Sequence, residues 1–462
     1  METHYTWAGI LALLILLGII IKNRFKLTYI ISNPLSIILI SFFSFFGKYK
    51  YIDFHDFNNL LLLISFVIFI FSYCFGKKIK LNFIDKKILT LSTEVYIQPH
   101  FFISKRGHNI FLCCCFFYLI LDLYVNSIIY GSLTTALIRF YSTNLINESF
   151  ATYKNLLSFL FKVILGVLFV FRFWSNVCGG KNNQIILGAI LLVLISIPRG
   201  SRGAAISPFV TLFIADIFSS RFYNIPLKKY FIQYASYIVI IVTCFFMLTA
   251  IRSVKFSSIE DLMTIVKATS IREGIDGYSD REDELIIRDT KLCFDTFGNK
   301  IDFLSPFYTF NSIAVSCIPR TIYSTKPVSF GLVINAIKEG KTNDINKPYK
   351  LYYPGAIDWA AGVAGEGWAN GGIFGLIFYS ILFGFISGKC AKFFFRLIIC
   401  KNGVAILIAL MFFQMSSCFI RGGLQSTFTP VLYSLILIFI ILKIYNKYES
   451  LCHSCRLGKH KK

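Results

Sequence analysis

Residues 109–130 read NIFLCCCFFYLILDLYVNSIIY. At about 1.5 Å of rise per residue the run is long enough to cross a hydrocarbon core of about 30 Å. It is continuously apolar where the strand of a barrel would alternate, so it predicts a membrane-spanning helix. Its three consecutive cysteines, Cys113, Cys114 and Cys115, count there as small apolar residues, and Asp122 stands alone as a carboxylate near the middle of the run.

Similar runs recur on both sides of it. They are Trp7 to Ile21, Leu27 to Phe46, Leu60 to Phe75, Leu156 to Trp174, Gln184 to Ile197, Gly203 to Phe218, Tyr230 to Ala250, Trp368 to Gly388, Gly403 to Ile420 and Phe428 to Ile444. With residues 109–130 they make about eleven expected transmembrane helices in an all-α polytopic protein. The composition agrees: 56% hydrophobic residues and 15% charged ones do not describe a soluble domain. A net charge of +23 in a soluble chain would point to nucleic acid. Here the basic residues flank apolar runs, where they orient helices and meet anionic lipid, so no nucleic-acid partner is expected.

Counting Lys and Arg on alternate sides of the runs gives 24 on one side and seven in the short segments of the other. The positive-inside rule therefore predicts a cytoplasmic C-terminus and an N-terminus on the outer side. The first basic cluster, Lys22, Arg24 and Lys26, follows the first apolar run. That order predicts a retained anchor in place of a cleavable signal.

A long polar segment, 251–367, interrupts this pattern and separates residues 1–250, with eight runs, from residues 368–462, with three. It holds 15 of the 24 acidic residues and 14 of the 47 basic ones. Ser258 to Thr269 and Asp280 to Phe297 pair a polar start with apolar positions on one side, and both read as amphipathic helices lying over the membrane. Leu304 to Ile318 contains Pro306 and Asn311 and reads as an interfacial or re-entrant segment. Cys293 and Cys317 lie in the same segment at a spacing that leaves a bridge open. Cys452 and Cys455 form a lone CxxC in the tail, too little to define a zinc site.

Cations gather where the positive-inside rule would exclude them. The turn Pro198-Arg199-Gly200-Ser201-Arg202-Gly203 faces outward and precedes a span. Two guanidinium groups and a hydroxyl at a helix N-terminus suit an anion, and snorkelling anchors are the competing use. Arg320 and Lys326 sit in the polar segment, and Arg421 precedes Gly422-Gly423 at the outer end of a span. The next run is expected to start at Thr429-Pro430, a good cap and first-turn pair. Guanidinium forks match phosphate oxygens.

The remaining candidates enter the ninth run: Glu366, Trp368 and Asn370 within 362–372, GVAGEGWANGG. Gly367, Gly371 and Gly375 recur every four residues and suit close helix packing. Packing does not account for Glu366, which is costly near a bilayer unless paired or at work. Glu366 is the first candidate for a general base and Asp358 the second. Trp359 and Trp368 offer faces for stacking on sugars, or anchors at the interface.

Taken together, the Arg-Gly-Ser-Arg-Gly turn, the Pro319-Arg320 to Lys326-Pro327 segment, the Gly365-Glu366 to Asn370-Gly371 entry and the late Arg421-Gly422 resemble the O-antigen or oligosaccharide repeat-unit polymerases of bacterial inner membranes. The likeness covers roughly residues 197–423 and the layout of spans around one large periplasmic loop. It implies a GT-C-like membrane glycosyltransferase architecture and a metal-independent, inverting glycosyltransferase without a cofactor. The implied donor and acceptor are undecaprenyl-diphosphate-linked oligosaccharides, with a chain-length regulator and a flippase as pathway partners. In that reading Arg199, Ser201, Arg202, Arg320, Lys326, Arg421, Trp368 and Asn370 bind diphosphate or sugar, and Glu366 or Asp358 serves the acceptor hydroxyl.

Motif absences narrow the field: no P-loop, dinucleotide fingerprint or HExxH occurs. Three other readings compete, one of them a non-enzymatic assembly partner of a polysaccharide machine. An O-antigen ligase is expected to use a loop histidine, but the six histidines are 4, 55, 100, 108, 453 and 460, all outside 251–367. A lipid-linked oligosaccharide flippase or transporter needs ionisable groups at mid-depth. Asp122 is the central one, with Lys162, Arg172 and Asp216 expected to snorkel toward span ends.

Overall fold

The protein was examined as a computed structural model. It describes residues 4–49, 55–82, 85–86, 88–90, 97–132, 151–180, 182–196, 202–226, 285–316, 318, 322–341, 345, 351, 359–421 and 424–459. Side chains are not described at residues 130, 151–156, 195–196, 202–203, 285, 421, 426–427, 442 and 445–459.

The helices are α1 Trp7–Lys22, α2 Leu27–Ile31, α3 Pro34–Phe46, α4 Asp56–Lys78, α5 Lys105–Tyr130, α6 Ala151–Cys178, α7 Asn183–Ser196, α8 Arg202–Tyr223, α9 Leu285–Thr296, α10 Tyr308–Ala314, α11 Phe330–Lys338, α12 Gly362–Ala369, α13 Gly372–Leu397, α14 Gly403–Arg421 and α15 Leu424–Lys459. The one small sheet pairs β1, His4–Tyr5, antiparallel with β2, Lys48–Tyr49. The fold is thus a mostly helical bundle, and six of the described helices are long and apolar enough to cross a membrane. The spans expected at 7–21 and 184–197 correspond to shorter apolar helices, and the one expected at 230–250 lies outside the described residues.

Three expected boundaries are corrected. Leu27 to Phe46 is two helices, because Pro34 lacks an N–H and Asn33 caps the second helix by accepting from Leu35 N at 3.3 Å. The ninth run does not begin at Trp368. Trp368 belongs to α12, and α13 starts only after a break at Asn370-Gly371, where Gly372 takes φ +59°. The last helix starts at Leu424, so Thr429 and Pro430 lie inside α15 and not at its cap.

The helix ends sort into two sides. On one, Arg221 donates to Ser32 Oγ at 2.6 Å, and Ile97 N donates to Asn402 Oδ1 at 3.4 Å. Lys392 bonds Asp85 at 2.6 Å, while both Lys389 (2.7 Å) and Lys392 (2.6 Å) donate to the carbonyl of Ile79 just beyond the end of α4. Burial pushes the Asp85 carboxyl up, but the Lys392 hydrogen bond and the charges of Lys389, Lys392 and Arg396 outweigh it and hold it below its ordinary value. On the other side β1 meets β2, and Phe57 meets Trp368 edge-on at 6.3 Å.

The core of the bundle is built on close approach. A Cβ at Gly76 would strike the carbonyl of Phe385, at Gly384 that of Phe69, and at Gly388 that of Tyr73. Small residues therefore bring α4 and α13 together along their length, with Ser65 and Ser380 hydrogen-bonded across the seam at 2.8 Å.

Arg172 and Asp216 do not snorkel. They form a fully buried bidentate pair between α6 and α8, with Nε–Oδ1 at 2.6 Å and Nη2–Oδ2 at 3.0 Å. Asn176 adds a further hydrogen bond to Asp216 and one to Ser219 Oγ at 3.2 Å. In an apolar bundle pairing satisfies both charges at less cost than carrying each long side chain to an interface.

Gly388→Leu and Gly384→Leu should each lower stability by about 1–3 kcal/mol. Gly18→Leu, where a Cβ meets nothing within 4 Å, should leave it unchanged. Thermal unfolding in detergent reads the difference. By the same measurement Arg172→Met should cost about 3–5 kcal/mol, because it strands the buried Asp216 charge, and adding Asp216→Leu should recover most of the loss.

Candidate functional site

On the side away from the Asp85 cluster, the polar segment folds into a cap with its own small core. Cys293 of α9 and Phe297, just past its end, pack there with Val328, Phe330, Val333 and Ile334 around α11. Of the two expected amphipathic helices, Ser258 to Thr269 lies outside the described residues, and the other appears as α9, residues 285–296. The expected re-entrant segment is the short helix α10, whose Phe310 ring stacks on Phe383 of α13 at 5.8 Å.

α9 rests on α12. Thr290 Oγ1 donates to the Ala361 carbonyl at 2.8 Å, and a side chain at Gly365 would crowd Ala361, Thr290 and Cys293. Cys293 is an unbridged buried thiol. Burial, then the nearby Asp289 and Glu366 carboxylates, push it well above its ordinary value, so it stays neutral and inert. Cys317 lies outside the described residues.

Glu366 is the centre of the arrangement. It is fully buried on α12, yet both carboxylate oxygens meet donors. Oε2 accepts from Thr309 Oγ1 of α10 at 3.1 Å, and Oε1 accepts from the backbone N–H of Leu424 at 2.5 Å. Leu424 is the first residue of α15, so the carboxylate caps a helix begun 58 residues later. A negative charge at that end also meets the positive end of the helix dipole. Asn370 completes the group: its Nδ2 donates to Thr309 Oγ1 at 3.1 Å and to the Glu366 carbonyl at 2.6 Å.

The other candidates distribute around this junction. Arg421 ends α14 and is separated from Leu424 only by Gly422-Gly423, so its backbone lies at the junction. Lys326 Nζ donates to the carbonyls of Ser316 (3.2 Å) and Ile318 (2.6 Å), which fixes the chain leaving α10. Trp368 donates to the Phe297 carbonyl at 3.2 Å, with Phe57, Phe294 and Phe303 at edge-on angles around its ring. Trp359 donates to Asn335 Oδ1 at 2.9 Å, and Lys338 Nζ sits 3.3 Å from its ring centroid. Both tryptophans are thus built into the cap. Arg202 begins α8, and its side chain, like that of Arg421, is not described. Arg199, Ser201, Arg320 and Asp358 lie outside the described residues.

Sequence reading missed Asp289 and Lys338, a pair at 2.5 Å whose carboxylate side chain is 1% exposed. Burial pushes the Asp289 carboxyl up and the Lys338 ammonium down, and their mutual attraction opposes both shifts. Thr309 was also missed, because an isolated threonine in an apolar stretch carries no signal of its partner.

No group of three or more His, Cys, Asp or Glu suited to a metal ion occurs among the described residues. No protein-family model matches the chain, and no curated protein or solved structure is significantly similar to it.

Glu366→Ala should destabilise the cap, since it leaves the Leu424 N–H and the Thr309 hydroxyl buried without this acceptor, at about 1–3 kcal/mol each. Glu366→Gln keeps an acceptor for Leu424 and should lose less. Thermal unfolding, with limited proteolysis across 421–424, checks the order.

Proposed function

We propose that this protein is a surface-polysaccharide polymerase of the O-antigen type. It joins undecaprenyl-diphosphate-linked oligosaccharide repeat units at the outer face of a bacterial cytoplasmic membrane, with its N-terminus outside and its C-terminus inside. The observation that carries the reading is the Glu366 junction. A buried carboxylate ties the polar cap, through α10 and α12, to the start of α15, three residues after Arg421 in the sequence.

A hydroxyl of the acceptor sugar attacks the anomeric carbon of the donor with inversion, the bond to the diphosphate oxygen breaks, and the lipid diphosphate leaves with the electron pair. The hydroxyl proton passes to a base or to the departing diphosphate. A diphosphate needs stabilisation of developing charge more than it needs an acid, and fixed guanidinium groups supply it without a metal. Arg421, with Arg199, Arg202 and Arg320, takes that role. Glu366 acts as a positioning residue: its oxygens are engaged by Thr309 and Leu424, and its work is to hold the start of α15 close to Arg421 in the chain. Asp358 is the remaining candidate for the base.

The test is incubation of the purified protein in liposomes with lipid-diphosphate-linked repeat units, without nucleotide or added metal, followed by sizing of the products. A ladder of lipid-linked oligomers is expected, reduced about 100-fold or more by Arg421→Ala. Monomer alone, with the same lipid crossing the bilayer in vesicles, would replace polymerisation by transport.

A further inference from the structure

A second site lies away from the cap, in the bundle. α5 is the least enclosed of the six long apolar helices, with 22% of its apolar window buried against 44% or more for the others. Between α5 and α6 runs an open cleft of about 940 Å³, within the range of small-molecule sites. Lys105 and Arg106 form one end of it. Along α5 it continues over Cys113 and Phe117, and Leu160 and Ile164 of α6 supply the opposite wall. The ionisable groups are segregated: the two cations stand together at one end, no carboxylate lines the cleft, and its remaining walls are almost wholly apolar.

Toward the other end, where Leu121 also lines the cleft, a hydrogen bond crosses between the two helices. Tyr118 donates to the Leu157 carbonyl at 2.9 Å and pins α5 to α6. From Lys105 to Tyr118 the helix rises about 20 Å, close to the half-thickness of about 15 Å of a hydrocarbon core plus its headgroup zone. The cationic end lies on the same side as the Asp85 cluster, since the segment just before α5 is hydrogen-bonded to Asn402 there. A ligand that fits carries one compact anion and one apolar chain about a leaflet long.

We propose that this cleft holds one anionic phospholipid from the leaflet on the basic side, its phosphate against Lys105 and Arg106 and an acyl chain along Cys113 and Phe117. The charge pair selects an anionic over a zwitterionic headgroup, and the reach of the cleft along α5 from Lys105 suits a chain of about one leaflet. The bound lipid fills the space between α5 and α6 that the side chains leave open. The site is independent of the polymerase reading, because it lies on the other side of the bundle from the Glu366 junction.

Native mass spectrometry of the full chain, titrated with phosphatidylglycerol or phosphatidylcholine of identical chains, tests it. One phosphatidylglycerol per protein is expected at an affinity at least tenfold above phosphatidylcholine. Lys105→Gln with Arg106→Gln should abolish the preference, and Lys22→Gln with Lys26→Gln should leave it intact. The two exposed thiols, Cys113 and Cys114, give a second readout. Peptide mapping after maleimide treatment should show them modified at least tenfold more slowly in phosphatidylglycerol liposomes than in phosphatidylcholine. Equal affinity for the two lipids, a preference that survives the double glutamine variant, or displacement by millimolar inorganic phosphate would each overturn the proposal. So would protection of both thiols in every lipid, which would mean that another segment of the chain fills the cleft.

Discussion

A carboxylate with no exposed surface is tolerable only where fixed donors take the place of water, and Glu366 meets that condition with groups from two distant parts of the chain. The backbone N–H it accepts is one of the four that any helix leaves without an internal partner. A helix starting inside an apolar bundle has no water to satisfy such a group, so α15 depends on α12 for its beginning. Because Thr309 engages the second oxygen, the same side chain also fixes α10. One residue thus sets the relative position of the cap and the last helix.

The other ionised groups of the interior obey the same condition in different ways. Arg172 and Asp216 neutralise each other by a bidentate geometry that uses both carboxylate oxygens, and they join α6 to α8. Asp85 instead serves several cations at once, and those cations also hold the Ile79 carbonyl past the end of α4. That carbonyl is exposed by the end of a helix, so the lysines act as a C-terminal cap as well as salt-bridge partners. In each case charge is placed where helices must be joined, and the apolar seam between α4 and α13 is left to glycine and serine.

What could be read from the sequence was whatever depends on neighbours in the chain. Continuous apolar runs gave the helical class. The break before α3 was legible in Asn33-Pro34 but was passed over because the apolar residues on either side outweighed it. Gly371-Gly372 likewise signalled the start of α13, yet the four-residue glycine spacing favoured one unbroken helix. The start of α15 was not legible: its cap lies 58 residues upstream, and the local Thr429-Pro430 pair offered a better motif in the wrong place. Opposite charges in two neighbouring spans were a usable sign of the Arg172–Asp216 pair, but no spacing rule brings residues 44 apart together. For the candidate site, sequence found Glu366 and Asn370 by asking which polar groups apolar surroundings would not excuse, and it could not see that Thr309 joins them.

These ties make the cap and the last helix a single mechanical unit. Besides the Leu424 bond, α15 reaches α10 through Tyr433, whose hydroxyl donates to the Ile313 carbonyl at 3.2 Å. Lys326 holds the carbonyls that follow. Farther along α15, Ser434 donates to the Phe159 carbonyl of α6 at 3.2 Å, next to the wall of the cleft formed by Leu160. A displacement of α10 would therefore have to move α15 or break several buried hydrogen bonds, and α15 bears directly on α6. Contact alone does not make such a chain allosteric, but it restricts how the molecule can rearrange: the cap is held to α13 as well, by Tyr379, whose hydroxyl donates to the Pro306 carbonyl at 3.1 Å, and by the close packing of Gly367 against Gly375.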